Sequence, residues 1–207
     1  MAKTKSQAIW IEKRKKDQFY LLAKKKGYRS RASFKLLQAL KKHPFIKLGD
    51  KVIDLGAAPG GWLQVARQVV GESGYILGVD VSEIEALPWQ NVETIIADVT
   101  DRAVLQILTR KIGGTANVVL SDVSPNITGS WEVDHARQIY LARKSLEIAV
   151  GVLKKNGNFL VKAFHGPELN ALKKEVGKCF DFVRIMKPQA SRARSSEVYI
   201  LALGFRR

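Results

Sequence analysis

Aspartate recurs at the ends of four short apolar segments, at Asp54, Asp80, Asp98 and Asp122. If these segments are parallel strands of one sheet, their carboxyl ends lie at one edge, where ligands bind in open α/β sheets. A single aspartate at such a position serves equally well as a turn or helix-capping residue. Four in register indicate instead a polar binding site at that edge.

A glycine-rich stretch, DLGAAPGGW (54–62), indicates a loop whose main chain approaches a ligand closely. Its spacing is GxxxGG, which differs from the dinucleotide pattern GxGxxG, and Trp62-Leu63 stands where a P-loop needs Lys-Ser/Thr. Asp80 lies 19 residues after Gly61, where nucleoside-binding folds place the acid that accepts hydrogen bonds from ribose hydroxyls. A nucleoside without phosphates is therefore favoured, and S-adenosylmethionine is the obvious one.

Lys162 interrupts the otherwise apolar segment NFLVKAF (158–164). Burying an ammonium group is costly unless carboxylates compensate for the lost hydration or the proton leaves. The residue is therefore either a strand-end lysine that reaches solvent or a lysine whose pKa is tuned for proton transfer. Pattern alone singles out neither Lys35, which lies off the apolar stripe of its helix, nor Glu197, which begins an apolar strand.

The elements that must position these residues alternate between short apolar strands and amphipathic helices. Strands are predicted over 51–55, 75–80, 92–98, 116–122, 157–164, 181–186 and 197–205. Helices are predicted before Pro44, over 62–70, around 101–111 and over 136–154, the last closed by Asn156-Gly157 as a C-terminal cap. This alternation predicts an α/β fold, a single doubly wound, mostly parallel seven-stranded sheet flanked by helices.

The charge of the chain is strongly positive and unevenly placed. The 207 residues include 35 Lys and Arg against 19 Asp and Glu, a formal net charge of +16. Residues 1–35 hold 12 of the basic residues and only two acids, Glu12 and Asp17, so this segment carries +10. A surface of this kind attracts polyanions, with nucleic acid as the leading class, and we expect residues 1–30 to form a partly disordered basic arm that is either simply solvated or contacts RNA or DNA.

Several classes of protein are disfavoured by composition. No apolar run approaches the ~18 residues that span a bilayer, and the first 30 residues do not resemble a secretory signal, so we expect a soluble, cytoplasmic protein. Cys179 is the single cysteine and cannot form an internal disulfide. The three histidines lack metal-ligand spacing, and we predict no metal.

Five motifs, in order along residues 24–204, make the sequence similar to one family. They are KKGYRSRASFKL, DLGAAPGGW, SDVSPNITG, VKAF and KPQASRARSSEVYILALG. In these motifs the chain resembles the FtsJ/RrmJ ribosomal-RNA 2'-O-ribose methyltransferases. The resemblance implies a class I, Rossmann-like methyltransferase domain over residues 31–207 that uses S-adenosylmethionine.

The resemblance also implies which residues form the site. The family's catalytic Lys-Asp-Lys-Glu tetrad falls on Lys35, Asp122, Lys162 and Glu197. Its cofactor-binding positions fall on Gly56, Gly60, Trp62, Asp80, Asp98 and Asp122. Together with the basic arm, the arginines of the first and last motifs, Arg29, Arg31, Arg192 and Arg194, are expected to hold RNA phosphates. Lys162 is the candidate general base, or the cation that steadies the developing alkoxide.

The substrate implied by the resemblance is ribosomal RNA or the large ribosomal subunit, with a uridine of 23S-type RNA as the target of a monomeric enzyme. Transfer RNA or another RNA, modified by the same chemistry, is an alternative, as is a noncatalytic RNA-binding ribosome-assembly factor. Base N-methylation is disfavoured because SDVSPN (121–126) lacks the proline pair and aromatic residue that hold an extruded base. A nicotinamide-dependent dehydrogenase is the weakest alternative.

Overall fold

Seven strands form one sheet in the computed structural model, which describes residues 17–206. The strands are β1 (Lys51–Leu55), β2 (Tyr75–Asp80), β3 (Val92–Ile96), β4 (Ala116–Ser121), β5 (Leu153–Phe164), β6 (Phe180–Met186) and β7 (Glu197–Phe205). Their order in the sheet is β3-β2-β1-β4-β5-β7-β6. The pairs from β3 to β5 are parallel, whereas β7 runs antiparallel to both of its neighbours.

Six helices accompany the strands in the described part of the chain. They are α1 (Gln18–Lys25), α2 (Ser33–Lys42), α3 (Gly61–Val70), α4 (Val104–Ile112), α5 (Trp131–Val152) and α6 (Leu169–Gly177). Helices α2 and α3 pack on one face of the sheet, and α4, α5 and α6 pack on the other, so both faces are buried. The predicted doubly wound α/β fold with a mostly parallel seven-stranded sheet is confirmed.

Both predicted ends of α5 are wrong: the helix begins at Trp131 instead of residue 136, and it ends before the predicted cap. Asn156-Gly157 does not cap α5, because that helix ends at Val152 and Leu153 takes an extended conformation that pairs with Ala116 of β4. Asn156 does adopt the left-handed conformation that the cap prediction required, with φ 63°, but it lies within β5. The pairing of β5 with β4 shifts register there, and the left-handed residue accommodates that irregularity.

The segment before α2 is packed against the domain from residue 17 onward. Phe19 and Tyr28 both contact the ring of Phe34 in α2, with centroids 5.6 and 5.7 Å apart. Asp17 caps α1 through the Tyr20 amide and pairs with Arg31. Residues 1–16 of the predicted basic arm lie outside the described residues.

Two features are absent from residues 17–206. No helix in this range is long and apolar enough to cross a bilayer. No group of three or more His, Cys, Asp or Glu side chains within it is arranged to hold a metal ion.

Candidate active site

The four residues of the predicted tetrad come from four separate elements and meet at the carboxyl edge of the sheet. Lys35 lies in the first turns of α2, Asp122 directly follows β4, Lys162 lies near the end of β5, and Glu197 begins β7. The Lys35 ammonium lies 2.7 Å from Glu197 Oε2 and 3.8 Å from Asp122 Oδ2. The Lys162 ammonium lies 3.1 Å from Asp122 Oδ1.

Lys162 is buried, with 5% of its surface exposed, and does not reach solvent. Its ammonium donates a 2.8 Å hydrogen bond to the Asp122 carbonyl in addition to its contact with the carboxylate. Gln138 of α5 donates to the carbonyls of Lys162 and Val123, 3.1 Å each, and so ties the end of β5 to the segment that follows β4. The structure therefore excludes the solvent-reaching alternative for Lys162.

Asp122 is the centre of this charge network. Burial alone would raise the pKa of its carboxyl, but the charges of Lys162 and Lys35 and a hydrogen bond from Tyr199 outweigh burial, so that the pKa is lowered. The Tyr199 hydroxyl donates to Asp122 Oδ1 over 2.6 Å. Burial, followed by the charges of Asp122 and Glu197, raises the pKa of Tyr199 well above its usual value and keeps this hydroxyl a donor. Asp122 is thus an ionised acceptor.

Two partners of the tetrad were not singled out by sequence analysis. Tyr199 contacts the Trp62 ring at 5.8 Å and places its hydroxyl on Asp122. Ser191 donates a 2.7 Å hydrogen bond to Glu197 Oε1 and leaves Glu197 Oε2 for Lys35. An aromatic residue in an apolar strand and a serine in a polar loop carry no signal of this role. Only their proximity in space shows it.

A cavity of about 430 Å³, here called the first cavity, opens at the carboxyl edge beside the tetrad. Its lining comes from the ends of β1, β2, β3 and β4 and from the segments that follow them. It includes Gly56, Asp80, Asp98, Asp122 and Asn126, which are joined by Ala58, Val79, Val81, Ala97, Val99, Thr100, Val123, Ser124, Pro125 and Leu141. Four of the six predicted cofactor-binding residues therefore surround one space.

The glycine loop needs its glycine where it approaches β4. Gly56 has φ 75°, and a Cβ there would lie 2.8 Å from the Val123 amide nitrogen. Asp80 accepts hydrogen bonds from the amides of Ala58 (3.0 Å) and Ser82 (2.9 Å), and so fixes the loop to the end of β2. Asp98 accepts two bonds of 2.8 Å from Thr100. These contacts hold two carboxylates at the wall of the first cavity.

Asp54, the first residue of the glycine motif, is completely buried, and its carboxylate oxygens accept no hydrogen bond from residues 17–206. Burial raises its pKa well above the ordinary carboxyl value, and the nearby charges of Asp122 and Asp80 raise it further. The edge of the sheet therefore concentrates negative charge around the first cavity. Such a site favours a ligand that carries a positive charge.

Gly60 and Trp62 are not among the described residues that line the first cavity. Trp62 is buried, and its indole N–H donates to the Ala32 carbonyl over 2.8 Å, which links α3 to the start of α2. Gly60 has φ 104° and lies against the Arg29 side chain. Arg29 itself donates to the carbonyls of Pro59, Glu85 and Ala86 and fastens the glycine loop from outside.

A second cavity of about 190 Å³ lies on the other side of the tetrad. It is lined by Lys35 and Glu197 together with Arg31, Ala32, Ala190, Arg192 and Ser195. Arg31 is held there by Asp17 and by the Ala190 carbonyl. Arg192 and Arg194 are exposed. Of the four arginines predicted to bind RNA, two are thus engaged in bonds within the protein and two point outward.

A basic groove that the sequence analysis missed lies along the sheet edge formed by β6. This β6 groove, about 460 Å³, is lined by Lys42, His43, Arg184, Ile185, Met186 and Lys187. Lys42 and Arg184 make no ion pair or hydrogen bond within residues 17–206, whereas Lys187 donates to the Ser195 carbonyl over 2.8 Å. Alternation along β6 places Phe182 and Arg184 on one face, and Phe182 contacts the His43 ring at 6.1 Å.

The fold and the first cavity define an α/β protein with a cavity at the carboxyl edge of its sheet, the place where open α/β sheets bind ligands. The sequence model of the family described as FtsJ-like methyltransferase matches residues 28–205. The chain therefore belongs to the FtsJ-like methyltransferase family, as its motifs implied.

The relatives agree with this assignment. The protein named ribosomal RNA large subunit methyltransferase E from Methanothermobacter thermautotrophicus is 47% identical over 95% of this chain and 93% of its own length. Its namesake from Methanocaldococcus jannaschii is 46% identical over 93% of this chain and 80% of its own length. A solved structure from Plasmodium falciparum, described as a ribosomal RNA methyltransferase, matches with a TM-score of 0.76 and 26% identity, covering 86% of this chain and 98% of that one.

Proposed function

We propose that this protein transfers a methyl group from S-adenosylmethionine to a ribose 2'-hydroxyl of large-subunit ribosomal RNA. One observation carries the proposal: the tetrad lies between two cavities, with Asp122 lining the first and Lys35 and Glu197 lining the second. A group held in the first cavity therefore faces a group held in the second across the four charged side chains. The names of the relatives support ribosomal RNA as the substrate.

The residues of the first cavity fit S-adenosylmethionine. This molecule carries a positive sulfonium, and three carboxylates, those of Asp80, Asp98 and Asp122, line the cavity. Its ribose hydroxyls suit carboxylate acceptors such as Asp80 and Asp98 on the cavity wall. The bound molecule supplies an electrophilic methyl group. Gly56 allows the main chain to approach it closely.

The tetrad suits the acceptor chemistry. A ribose 2'-hydroxyl is a weak acid and must lose its proton as its oxygen attacks the methyl group. We assign Lys162, whose ammonium lies 3.1 Å from the Asp122 carboxylate, to taking that proton or, as an ammonium, to stabilising the developing negative charge. We assign Lys35 to orienting the ribose, because it lines the second cavity and is fixed by Glu197 and Asp122. The two carboxylates balance the charge of the two lysines.

The RNA is proposed to cross the tetrad and continue along the basic side of the molecule. Arg192 and Arg194 lie beside the second cavity, and the β6 groove begins at Lys187, whose ammonium contacts the same loop at Ser195. Lys42 and Arg184 extend the positive surface beyond it. Arg29 and Arg31 contribute by holding loops rather than phosphates. A cytoplasmic enzyme that acts as a monomer fits this path.

The experiment uses large ribosomal subunits from cells that lack the enzyme, incubated with labelled S-adenosylmethionine. The wild type is expected to label one ribose, which is then mapped, and Lys162→Ala should lose transfer at least 100-fold while retaining cofactor binding. Lys155→Ala, which changes an exposed lysine at the start of β5, is the matched control and should be fully active. Label on a base, or no transfer to any RNA, contradicts the proposal. Label on transfer RNA alone contradicts ribosomal RNA as the substrate but not the methylation of a ribose.

Lys162→Arg separates the two roles of the lysine. Arginine keeps a positive charge but does not give up its proton in proteins. If Lys162 is the general base, Lys162→Arg is as inactive as Lys162→Ala. If the ammonium acts only by its charge, the arginine variant retains part of the activity.

A further inference from the structure

Trp131 is an exposed tryptophan at the start of α5, linked to the tetrad through Phe164, the strand partner of Glu197. It is the first residue of α5, and 45% of its surface is accessible, whereas Trp62 is buried and Trp89 is half-buried in the same described range. Large aromatic side chains left this exposed in a soluble domain commonly mark a binding surface. The inner side of the indole already packs on Phe164 and His135, so the exposed outer side makes no contact with residues 17–206 that holds the fold together.

The position of the indole relative to the tetrad follows from its contacts. Trp131 stacks on Phe164 with ring centroids 6.1 Å apart and an angle of 23° between the planes. Phe164 pairs directly with Glu197 across β5 and β7 and lies two residues beyond Lys162, about 7 Å along the strand. The exposed indole is therefore a neighbour of the second cavity, on the side away from the β6 groove.

The indole is also held rigidly. His135, one turn further along α5, stacks on it at 5.5 Å and 29°, and both His135 and Phe164 are buried. The loop before α5 is fixed as well, because Asp134 accepts hydrogen bonds from the amides of Thr128 (2.8 Å) and Gly129 (3.1 Å). A rigid aromatic surface loses little entropy when a flat partner stacks on it.

We propose that Trp131 is a stacking platform for an unpaired RNA base within one nucleotide of the methylated ribose. The inference rests on the proposed function, which brings a ribose to the second cavity beside Phe164. Bases of single-stranded RNA stack on aromatic side chains, and splayed nucleotides are recognised in this way. Trp131 is then a residue that positions the acceptor and selects unpaired RNA, while the tetrad performs the chemistry.

Steady-state kinetics with the same undermodified subunits test the role. Trp131→Ala should raise the KM for RNA about 5- to 100-fold, the range that one base–aromatic stack supplies, with the KM for S-adenosylmethionine unchanged. Trp131→Phe, which keeps a smaller ring, should lose less. Tyr140→Ala is the control, because Tyr140 is equally exposed on α5 but lies nine residues beyond Trp131 and does not stack on Phe164. An unchanged KM for RNA in Trp131→Ala overturns the inference, and so does an equal rise in the KM for the cofactor.

Tryptophan fluorescence provides a test that needs no turnover. A single-stranded RNA oligonucleotide should quench the fluorescence of the wild type, and the same sequence annealed to its complement should not. Because Trp10 lies in the segment expected to contact RNA, the comparison is made in a Trp10→Phe background, where the added Trp131→Phe should abolish the quenching although Trp62 and Trp89 remain. Quenching that persists after Trp131→Phe in that background, or that duplex RNA produces equally, contradicts the platform. Because this readout is independent of methyl transfer, failure of the platform is distinguishable from failure of the proposed function.

Discussion

Asp54 is completely buried in β1 without a hydrogen-bond donor from the described residues, and burial, together with the charges of Asp122 and Asp80, raises the pKa of its carboxyl. An unpaired buried carboxylate is unfavourable for folding, and the penalty grows as pH rises from the ordinary carboxyl pKa toward the raised one. A positively charged ligand in the first cavity relieves the repulsion. Asp54 is therefore expected to lower the stability of the free protein and to raise its affinity for a cation.

The variant Asp54→Asn tests both effects. The variant should be more stable than the wild type at pH 7 to 8, by about 1 to 3 kcal/mol in the free energy of unfolding. The difference should shrink toward acid pH, where the wild-type carboxyl is protonated. Binding of S-adenosylmethionine should weaken about tenfold or more, while the uncharged product S-adenosylhomocysteine is affected less. Thermal melts and titration calorimetry measure both, and a less stable variant at neutral pH would refute the account.

How far single residues could be predicted depends on whether they break a local pattern. Lys162 stood out because a charge interrupts an apolar strand, and the aspartates stood out because they close strands. Lys35 and Glu197 break no pattern and were found only through the family motifs. Tyr199 resembles any core aromatic of a strand, and its hydroxyl finds Asp122 only across two strands. The bonds that occupy Arg29 and Arg31 also depend on distant carbonyls that sequence cannot locate.

At the scale of elements, the segment between β4 and α5 lines the first cavity and leads to Trp131. Asp122 begins it, Pro125 and Asn126 line the first cavity, and Trp131 ends it. Asp134 fixes the middle of the segment through Thr128 and Gly129, and the hydrogen bonds from Thr128 in particular lower the pKa of its carboxyl. A lowered pKa means that the ionised form of Asp134 stabilises the folded state above the ordinary carboxyl pKa.

Asp134→Asn should therefore be less stable than the wild type at neutral pH. The difference should diminish as pH falls below about 4, where the wild-type carboxylate becomes protonated and loses its advantage. Thermal melts between pH 3 and pH 7 measure this convergence. A constant difference across the whole range would show that the carboxylate charge has no part in holding the segment.

The strands were predicted well because each is a short apolar run bounded by glycine or polar residues, and β7 matches its predicted range. The ends of α5 were not predicted well, for two physical reasons. Its first turn contains Trp131 and Asp134, which serve the neighbouring loop and ring stack and so obscure the helical pattern. At its other end the left-handed Asn156 resembles a helix cap but lies at an irregularity of β5.

At the scale of the whole molecule, the positive charge is not confined to the first 35 residues. Lys42, Arg184 and Lys187 come from distant parts of the chain and meet only because β6 packs beside the end of α2. Paired residues of β6 and β7 lie on the same side of the sheet, so Arg184 and Leu201 share the face that carries Tyr199 and Lys162. Arg184 of the β6 groove therefore lies on the same side of the sheet as Lys162 and Tyr199.

The double variant Lys42→Ala/Arg184→Ala should weaken RNA binding and reduce its dependence on salt. If each side chain contacts one phosphate of single-stranded RNA, the slope of log K against log salt should fall by about 1.4 in magnitude. Lys154→Ala/Lys155→Ala is the control. It removes the same charge from the start of β5, at the amino ends of the parallel strands. Binding isotherms from 50 to 300 mM salt measure the slopes; equal slopes for the two double variants would remove the groove from the RNA path.

The strand that joins the two last-placed parts of the sheet is the seventh in chain order. β7 inserts between β5 and β6, and it brings Glu197 and Tyr199 to a site whose Lys35 lies in α2. A chain cut before residue 197 keeps the glycine loop, the aspartates and three residues of the tetrad, but it leaves Lys35 without Glu197 and Asp122 without the Tyr199 hydroxyl. We therefore expect such a truncated chain to lack the closed charge network on which the proposed transfer depends.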